Sequence, residues 1–136
     1  MSSRLTVSLH VLTLLALVPD RPLTSEYIAR SVNTHAVVIR RVLALLRRKR
    51  LVRSRAGNAG GWELARHPGS ITVLDVRQAV DDGPAFAMHS QRPSAACPVG
   101  RDIQRVLEGV YAHATRALDR ELQRTTVAAL LESVRK

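Results

Sequence analysis

The chain has 136 residues, one cysteine and 3% aromatic residues, so it can form no intrachain disulfide. Tyr27, Trp62, Phe86 and Tyr111 are too isolated to stack on single-stranded bases. The formal charge of +10 falls unevenly: residues 1–70 carry twelve Lys/Arg against three acids (Asp20, Glu26, Glu63), residues 71–136 nine against eight. The longest apolar run, Leu5 to Val18, is interrupted by Thr6, Ser8, His10 and Thr13 and is too short to span a bilayer; with no secretory leader pattern, a reducing, cytoplasmic setting and no membrane partner are expected.

Leu5, Leu9, Leu12 and Ala16 repeat at helical spacing until Pro19 and Pro22 forbid continuation, with His10 expected in the core or an interface. Thr24 or Ser25 then caps a short helix whose inward positions read as Tyr27, Ile28 and Val32. A turn over Ser31 to Thr34 suits two steeply crossing helices. The next helix, from about His35 to Arg48, takes Val38, Val42, Leu45 and Leu46 as its inner face and leaves Arg40, Ala44, Arg47 and Arg48 on the other.

Leu51 to Arg55 and Trp62 to Ala65 are short strand candidates, joined by a loop whose Gly57, Gly60 and Gly61 let backbone enter a groove. From Arg40 to Arg55 there are eight basic residues and no acid. A basic helix running into a basic hairpin is the pattern of a winged helix-turn-helix, and the charge suits a polyanionic duplex.

Thr72 with Asp75 reads as a capping box for a helix carrying Val73, Val76, Ala79 and Val80, which ends at Asp81-Asp82 before Gly83-Pro84. Residues 84–98, with Pro84, Pro93 and Pro98, read as a linker. Ile103, Val106, Leu107, Val110, Ala114, Leu118 and Leu122 then recur at three and four over about six turns, a face expected to be buried by self-association. A last helix near Thr126 to Val134 is expected beside the long one.

The expected fold class is therefore mainly α with a small β-wing: a winged helix-turn-helix domain over residues 1–83, a linker over 84–98, and a helical dimerisation region over 99–136. The candidate DNA-binding residues are Thr34, His35, Val37, Arg40, Arg41, Arg47, Arg48, Arg53, Arg55 and Asn58. Arg40 and Arg41 are assigned to base edges, Thr34 and His35 to positioning the helix start, and Arg47, Arg48, Arg53 and Arg55 to phosphates. The chain offers no nucleophile elbow, phosphate loop or coupled carboxylates, so no catalytic residue is named; no histidine pair has metal-site spacing, so no metal is named. A rival to DNA binding is a regulatory module that uses the winged helix to contact a protein.

Thr34-His35-Ala36-Val37-Val38-Ile39-Arg40-Arg41, Leu46, Leu51-Val52, Gly57, Gly60-Gly61-Trp62, Leu64-Ala65-Arg66, Pro68, Ile71-Thr72-Val73 and Cys97-Pro98-Val99-Gly100 together resemble the Rrf-type winged-helix transcription regulators, and in particular their YwnA-like branch. The resemblance implies a homodimer on double-stranded DNA, repression from an inverted repeat, and a wing in the minor groove. Some members of the family hold an iron-sulfur cluster through three cysteines before the long helix. Here that region, Phe86 to Gly100, offers Cys97 alone with His89 nearby, and no cofactor is expected. Two more departures are Ala56 before Gly57, where some members carry a minor-groove arginine, so that the role passes to Arg55 or lapses, and His35 in place of the branch's asparagine. Cys97 at a helix start, near Arg92 and Arg101, is a candidate oxidant sensor; a small-molecule effector is the other candidate signal, and an inert packed thiol the bland alternative.

Overall fold

The computed structural model describes residues 2–81 and 83–136; Asp82, half of the expected Asp81-Asp82 stop, lies outside them. Helices α1 (Arg4–Leu17), α2 (Ser25–Val32) and α3 (Ala36–Arg48) precede strands β1 (Val52–Arg55) and β2 (Gly61–Leu64), a single 3-10 turn at Pro68–Ser70, and helices α4 (Val73–Val80), α5 (Pro98–Leu122) and α6 (Val127–Arg135). The chain divides into two compact units, Met1–Asp82 with Leu122–Lys136, and Gly83–Glu121.

The first unit is built on a core from every helix in it: Leu12, Ile28, Ile39, Leu43, Leu46, Ile71, Val76, Val80 and Val127 are all fully buried. Each such side chain stabilises the fold by about 1.5–3 kcal/mol before the entropy of ordering is charged. Thr24 caps α2, its hydroxyl accepting from the N–H of Tyr27. Asn33, in the left-handed conformation at φ 62°, ends that helix, and the Thr34 N–H donates back to the Ala29 carbonyl at 3.0 Å. The capping box of α4 is complete: the Asp75 N–H donates to Thr72 Oγ1 at 3.0 Å, and the Thr72 N–H to Asp75 Oδ2 at 2.9 Å. At the other end of α4, Arg4 donates to the Val80 carbonyl at 2.8 Å, a cation placed where the helix dipole favours one.

The wing is an antiparallel pair with Val52 opposite Leu64, Arg53 opposite Glu63 and Ser54 opposite Trp62. Leu23 adds a bridge to Trp62, giving and taking one backbone hydrogen bond at 2.9 and 2.7 Å, so the hairpin is tied to the segment between α1 and α2. This bridge requires Gly61. Its φ is 154°, and a Cβ there would stand 2.6 Å from the Leu23 carbonyl oxygen.

Several expectations are corrected. The inner face of α3 is Ile39, Val42, Leu43 and Leu46, with Val38 and Leu45 only half-buried. A Val38-Val42-Leu45 stripe is equally periodic, and the choice between the two phases lies in which side meets α2 and α4. Tyr27 is exposed rather than inward, with the guanidinium carbons of Arg21 and Arg30 at 5.9 and 5.8 Å from its ring centroid. His10 is also exposed and hydrogen-bonds Ser31 Oγ at 2.9 Å.

Residues 122–136 do not extend the region expected over 99–136. Helix α6 packs on α1, and the Val73 N–H donates to the Thr125 carbonyl while the Val127 N–H donates to that of Ile71. The apolar face of α6 is short and is partly covered by α1: Val127 is buried, Leu130 and Leu131 are half-buried, and Val134 is exposed. The 84–98 segment is not a free linker either: within its own unit Phe86 stacks on Tyr111 of α5 with centroids 5.0 Å apart, and Gly100 of α5 comes so close to the Ser94 carbonyl that a Cβ would not fit.

Candidate nucleic-acid interface

Buried Ile39, Val42, Leu43 and Leu46 fix how α3 is turned. At about 100° per residue the line opposite them runs Val37, Arg41, Ala44, Arg48, all exposed. Val37 is 52% exposed, unusual for a valine at the first turn of a helix with apolar neighbours to hide it. The ridge thus alternates an apolar or small side chain with an arginine, the combination that fits thymine methyl groups and guanine edges in a major groove. His35, at the N-cap, is exposed and makes no side-chain capping bond; Thr34 beside it is half-buried.

Arg40 and Arg47 flank that ridge on one side and have protein partners. Arg40 Nη2 donates to Glu26 Oε1 of α2 at 2.9 Å, and Arg47 lies over the Trp62 ring at 5.7 Å. The backbone N–H of Glu26 at the start of α2, and then the Arg40 guanidinium, hold the Glu26 carboxyl below the usual range. In the wing, Arg53 and Arg55 project from one face of β1 and share Glu63, at 3.2 and 2.5 Å. Arg48 and Arg41 have no carboxylate within ion-pair distance among the described residues, and Asn58 is exposed in the loop tip.

The expected DNA-binding residues therefore lie on α3, on the turn before it and on the wing, and the stacking of Arg47 on Trp62 brings the helix and the wing together. Sequence reasoning missed the counter-charges Glu26 and Glu63 and the ring of Trp62. The pairing of Glu63 with Arg53 follows from strand register, which the loop geometry sets; the reach of Glu26 to Arg40 follows from the crossing of α2 and α3. Neither carries a local signal.

In the second unit, Cys97 is exposed just before α5. The N–H of Gly100, then that of Val99, stabilise its thiolate and hold the thiol below its usual range. None of the residues of α5 is buried. Ile103, Leu107 and Tyr111 line a hollow of about 480 Å³ with Ala87, Met88 and His89, whereas Val106 and Val110 stand 48% and 53% exposed. Ala114, Leu118 and Leu122 are half-buried. No group of three or more His, Cys, Asp or Glu side chains among the described residues could hold a metal, and no helix among them is long and apolar enough to cross a membrane.

Two packed helices joined by the short turn 33–35, an exposed basic ridge on the second of them and a basic hairpin beside it define a winged helix-turn-helix transcriptional regulator. Comparison with known proteins agrees: the chain belongs to the Rrf2 family, whose description, Iron-dependent Transcriptional regulator, matches residues 1–133. YwnA of Bacillus subtilis (strain 168), provisionally named an HTH-type transcriptional regulator, is 40% identical over 122 residues, 89% of either chain. A crystal structure provisionally described as a DNA binding protein superposes with TM-score 0.78 at 36% identity, covering 95% of this chain and 99% of that one. The T. potens IscR structure shares the fold, with TM-score 0.74 at 22% identity over 98% of this chain and 87% of its own.

The description of the family raises iron. A sulfur-ligated cluster takes about four ligands. This sequence has a single cysteine, and the residues present do not fit such a group.

Proposed function

We propose that the protein binds an inverted repeat in duplex DNA as a cytoplasmic homodimer and represses the genes beside it, acting by binding and not by catalysis. The observation that carries this reading is the Val37-Arg41-Ala44-Arg48 ridge, which leaves the second helix of the turn with its outward line free of acids. Arg41 reads a base edge from that line; Arg40 joins it on leaving Glu26; Thr34 and His35 set the helix start. Arg47, Arg48, Arg53 and Arg55 hold phosphates, and Asn58 carries the wing tip into the minor groove. The exposed Val106 and Val110 on a helix with no buried residue support pairing through α5.

Selection of bound fragments from a genomic library should return a palindrome with half-sites about one helical turn apart. A protein that sediments as a monomer at micromolar concentration while retaining full specific affinity would overturn the dimeric reading. Unchanged sequence preference and affinity in Arg40→Ala and Arg41→Ala would overturn the assignment of α3.

For regulation, the observation favouring a thiol is the exposure of Cys97 together with its stabilised thiolate; a small ligand is the other candidate. The purified protein should be colourless and free of iron even when prepared without oxygen. DNA binding by wild type and Cys97→Ser with and without peroxide separates the two signals: equal responses remove the thiol, and a visible band with stoichiometric iron removes the reading without a cluster.

A further inference from the structure

Helix α3 closes on a residue that its backbone disfavours. The Leu51 N–H donates to the Leu46 carbonyl at 3.1 Å and the Arg50 N–H to that of Arg47 at 2.9 Å, the pair of bonds that ends a helix through a left-handed residue. That residue is Arg50, at φ 59°. Glycine is the usual occupant of the position, because a Cβ there crowds the following carbonyl. The other non-glycine residues with positive φ among those described are Asn33 and Asp81, types that tolerate the conformation, and Arg50 is not.

What Arg50 offers in return is charge at a particular place. With Arg47, Arg53 and Arg66 it lines a concavity of about 550 Å³ between the end of α3 and the base of the wing, completed by Val52 and Ala65. Three of the four cations are fixed by the protein: Arg47 on the Trp62 ring, Arg53 by Glu63, and Arg66 by the Ser70 carbonyl with Asp75 at 3.9 Å. Arg50 has no carboxylate within ion-pair distance among the described residues. The concavity is thus pre-organised and in charge excess, with one guanidinium left to be neutralised from outside.

We propose that this concavity seats one phosphate of the duplex backbone, and that Arg50 occupies a glycine position because its guanidinium is needed there. The inference rests on the DNA-binding reading and adds Arg50 and Arg66 to the residues that hold the duplex. A phosphate oxyanion suits several converging guanidinium groups, each a planar fork of donors. An alternative cause for Arg50 is attraction to the carbonyl end of the α3 dipole, which predicts a loss of stability on its removal and no effect on DNA.

The test compares wild type with Arg50→Gly, Arg50→Asn and Arg50→Lys by thermal melting and by duplex binding across a salt series, on the selected operator and on an unrelated duplex. Arg50→Gly should melt a few degrees higher, since it relieves the backbone. Arg50→Gly and Arg50→Asn should both bind either duplex about three- to tenfold more weakly, with the slope of log affinity against log salt reduced by about one, while Arg50→Lys, which keeps the charge without the fork, should keep the wild-type slope and lose less affinity than either. Wild-type binding with unchanged affinity and slope in the glycine and asparagine variants overturns the phosphate seat and leaves the DNA reading standing; absence of duplex binding by wild type removes both. If inorganic phosphate at constant ionic strength raises the melting temperature of wild type and not of Arg50→Gly, while the DNA slope does not change, the site takes a free oxyanion and its assignment to the duplex backbone is overturned.

Discussion

In the winged-helix unit the apolar side chains close over one another: Leu12, Ile28, Ile39, Leu43, Leu46 and Val127 have no exposed surface. In the Gly83–Glu121 unit, helix α5 is longer than any in the first unit and buries none of its residues; Val99, Val106 and Val110 are 65%, 48% and 53% exposed. The two regions are similarly apolar in sequence along one helix face, yet only the first has a closed core; its own uncovered apolar side chains, Leu17, Val37 and Val134, lie outside that core. The comparison teaches that the stability of the first region comes from a closed core, while the second has none along α5, whose apolar face is the one the proposed pairing would cover.

The largest effect should come from breaking the side with the closed core. Leu46→Ala, at a site with no exposed surface, should cost about 2–5 kcal/mol in denaturant unfolding, because it removes a fully buried side chain and the surrounding core relaxes only partly into the cavity. The matching change on the other side is Val106→Glu with Val110→Glu. It should leave the far-UV spectrum intact, convert the protein to a monomer in sedimentation, and lower affinity for the operator by about a hundredfold or more, as the benefit of two linked half-sites disappears. An unrelated duplex serves as the control for the added negative charge. If the double variant remains a dimer, the exposed valines are not the interface and the contrast between the units has another cause.

The same contrast governs what could be read from the sequence. The stripe Val73, Val76, Ala79, Val80 was legible, as was the capping box, because local spacing and one side-chain pair suffice for both. The phase of α3 was not, since Val38 and Ile39 are interchangeable by composition and only the arrangement of α2 and α4 selects Ile39. For α6, periodicity announced an apolar face but not its cover, and α1 could not be distinguished from α5 as the partner. At the interface, the basic residues from Arg40 to Arg55 stood out as a run. Their counter-charges did not, because Glu26 and Glu63 reach them through tertiary crossing and strand register.

Within the interface, the outward line and its flank should separate. Arg41→Ala removes, from the centre of the ridge, a guanidinium with no carboxylate within ion-pair distance among the described residues. It should cost about 1–3 kcal/mol of operator binding and relax preference at one base pair. Arg40→Ala should cost less, because part of what Arg40 gains on DNA is offset by leaving Glu26. Competition binding against single-base variants of the operator measures both. Equal losses with relaxation at the same base pair would mean that the ion pair does not restrain Arg40.

The smallest expected effect is a pH dependence that this ion pair imposes on binding. The Glu26 carboxyl lies below its usual range because its own backbone N–H and the Arg40 guanidinium favour the carboxylate. A group depressed in the folded state stabilises the fold above its unfolded value, and that contribution is lost as pH falls through the folded value. DNA binding acts in the opposite sense on the same group. If Arg40 turns to the duplex, Glu26 loses a cation and gains phosphate neighbours, its carboxyl moves back up, and the complex takes up protons that the free protein did not hold. Affinity should therefore rise as pH falls through the ordinary carboxylate range, about pH 6 to 4, beyond any rise common to all basic proteins. Glu26→Gln should remove that increment and bind more tightly than wild type near neutral pH, where Arg40 no longer has an ion pair to leave. A pH profile of Glu26→Gln parallel to that of wild type would show that Arg40 stays on α2 when DNA binds, leaving Arg41 as the base-reading arginine of α3.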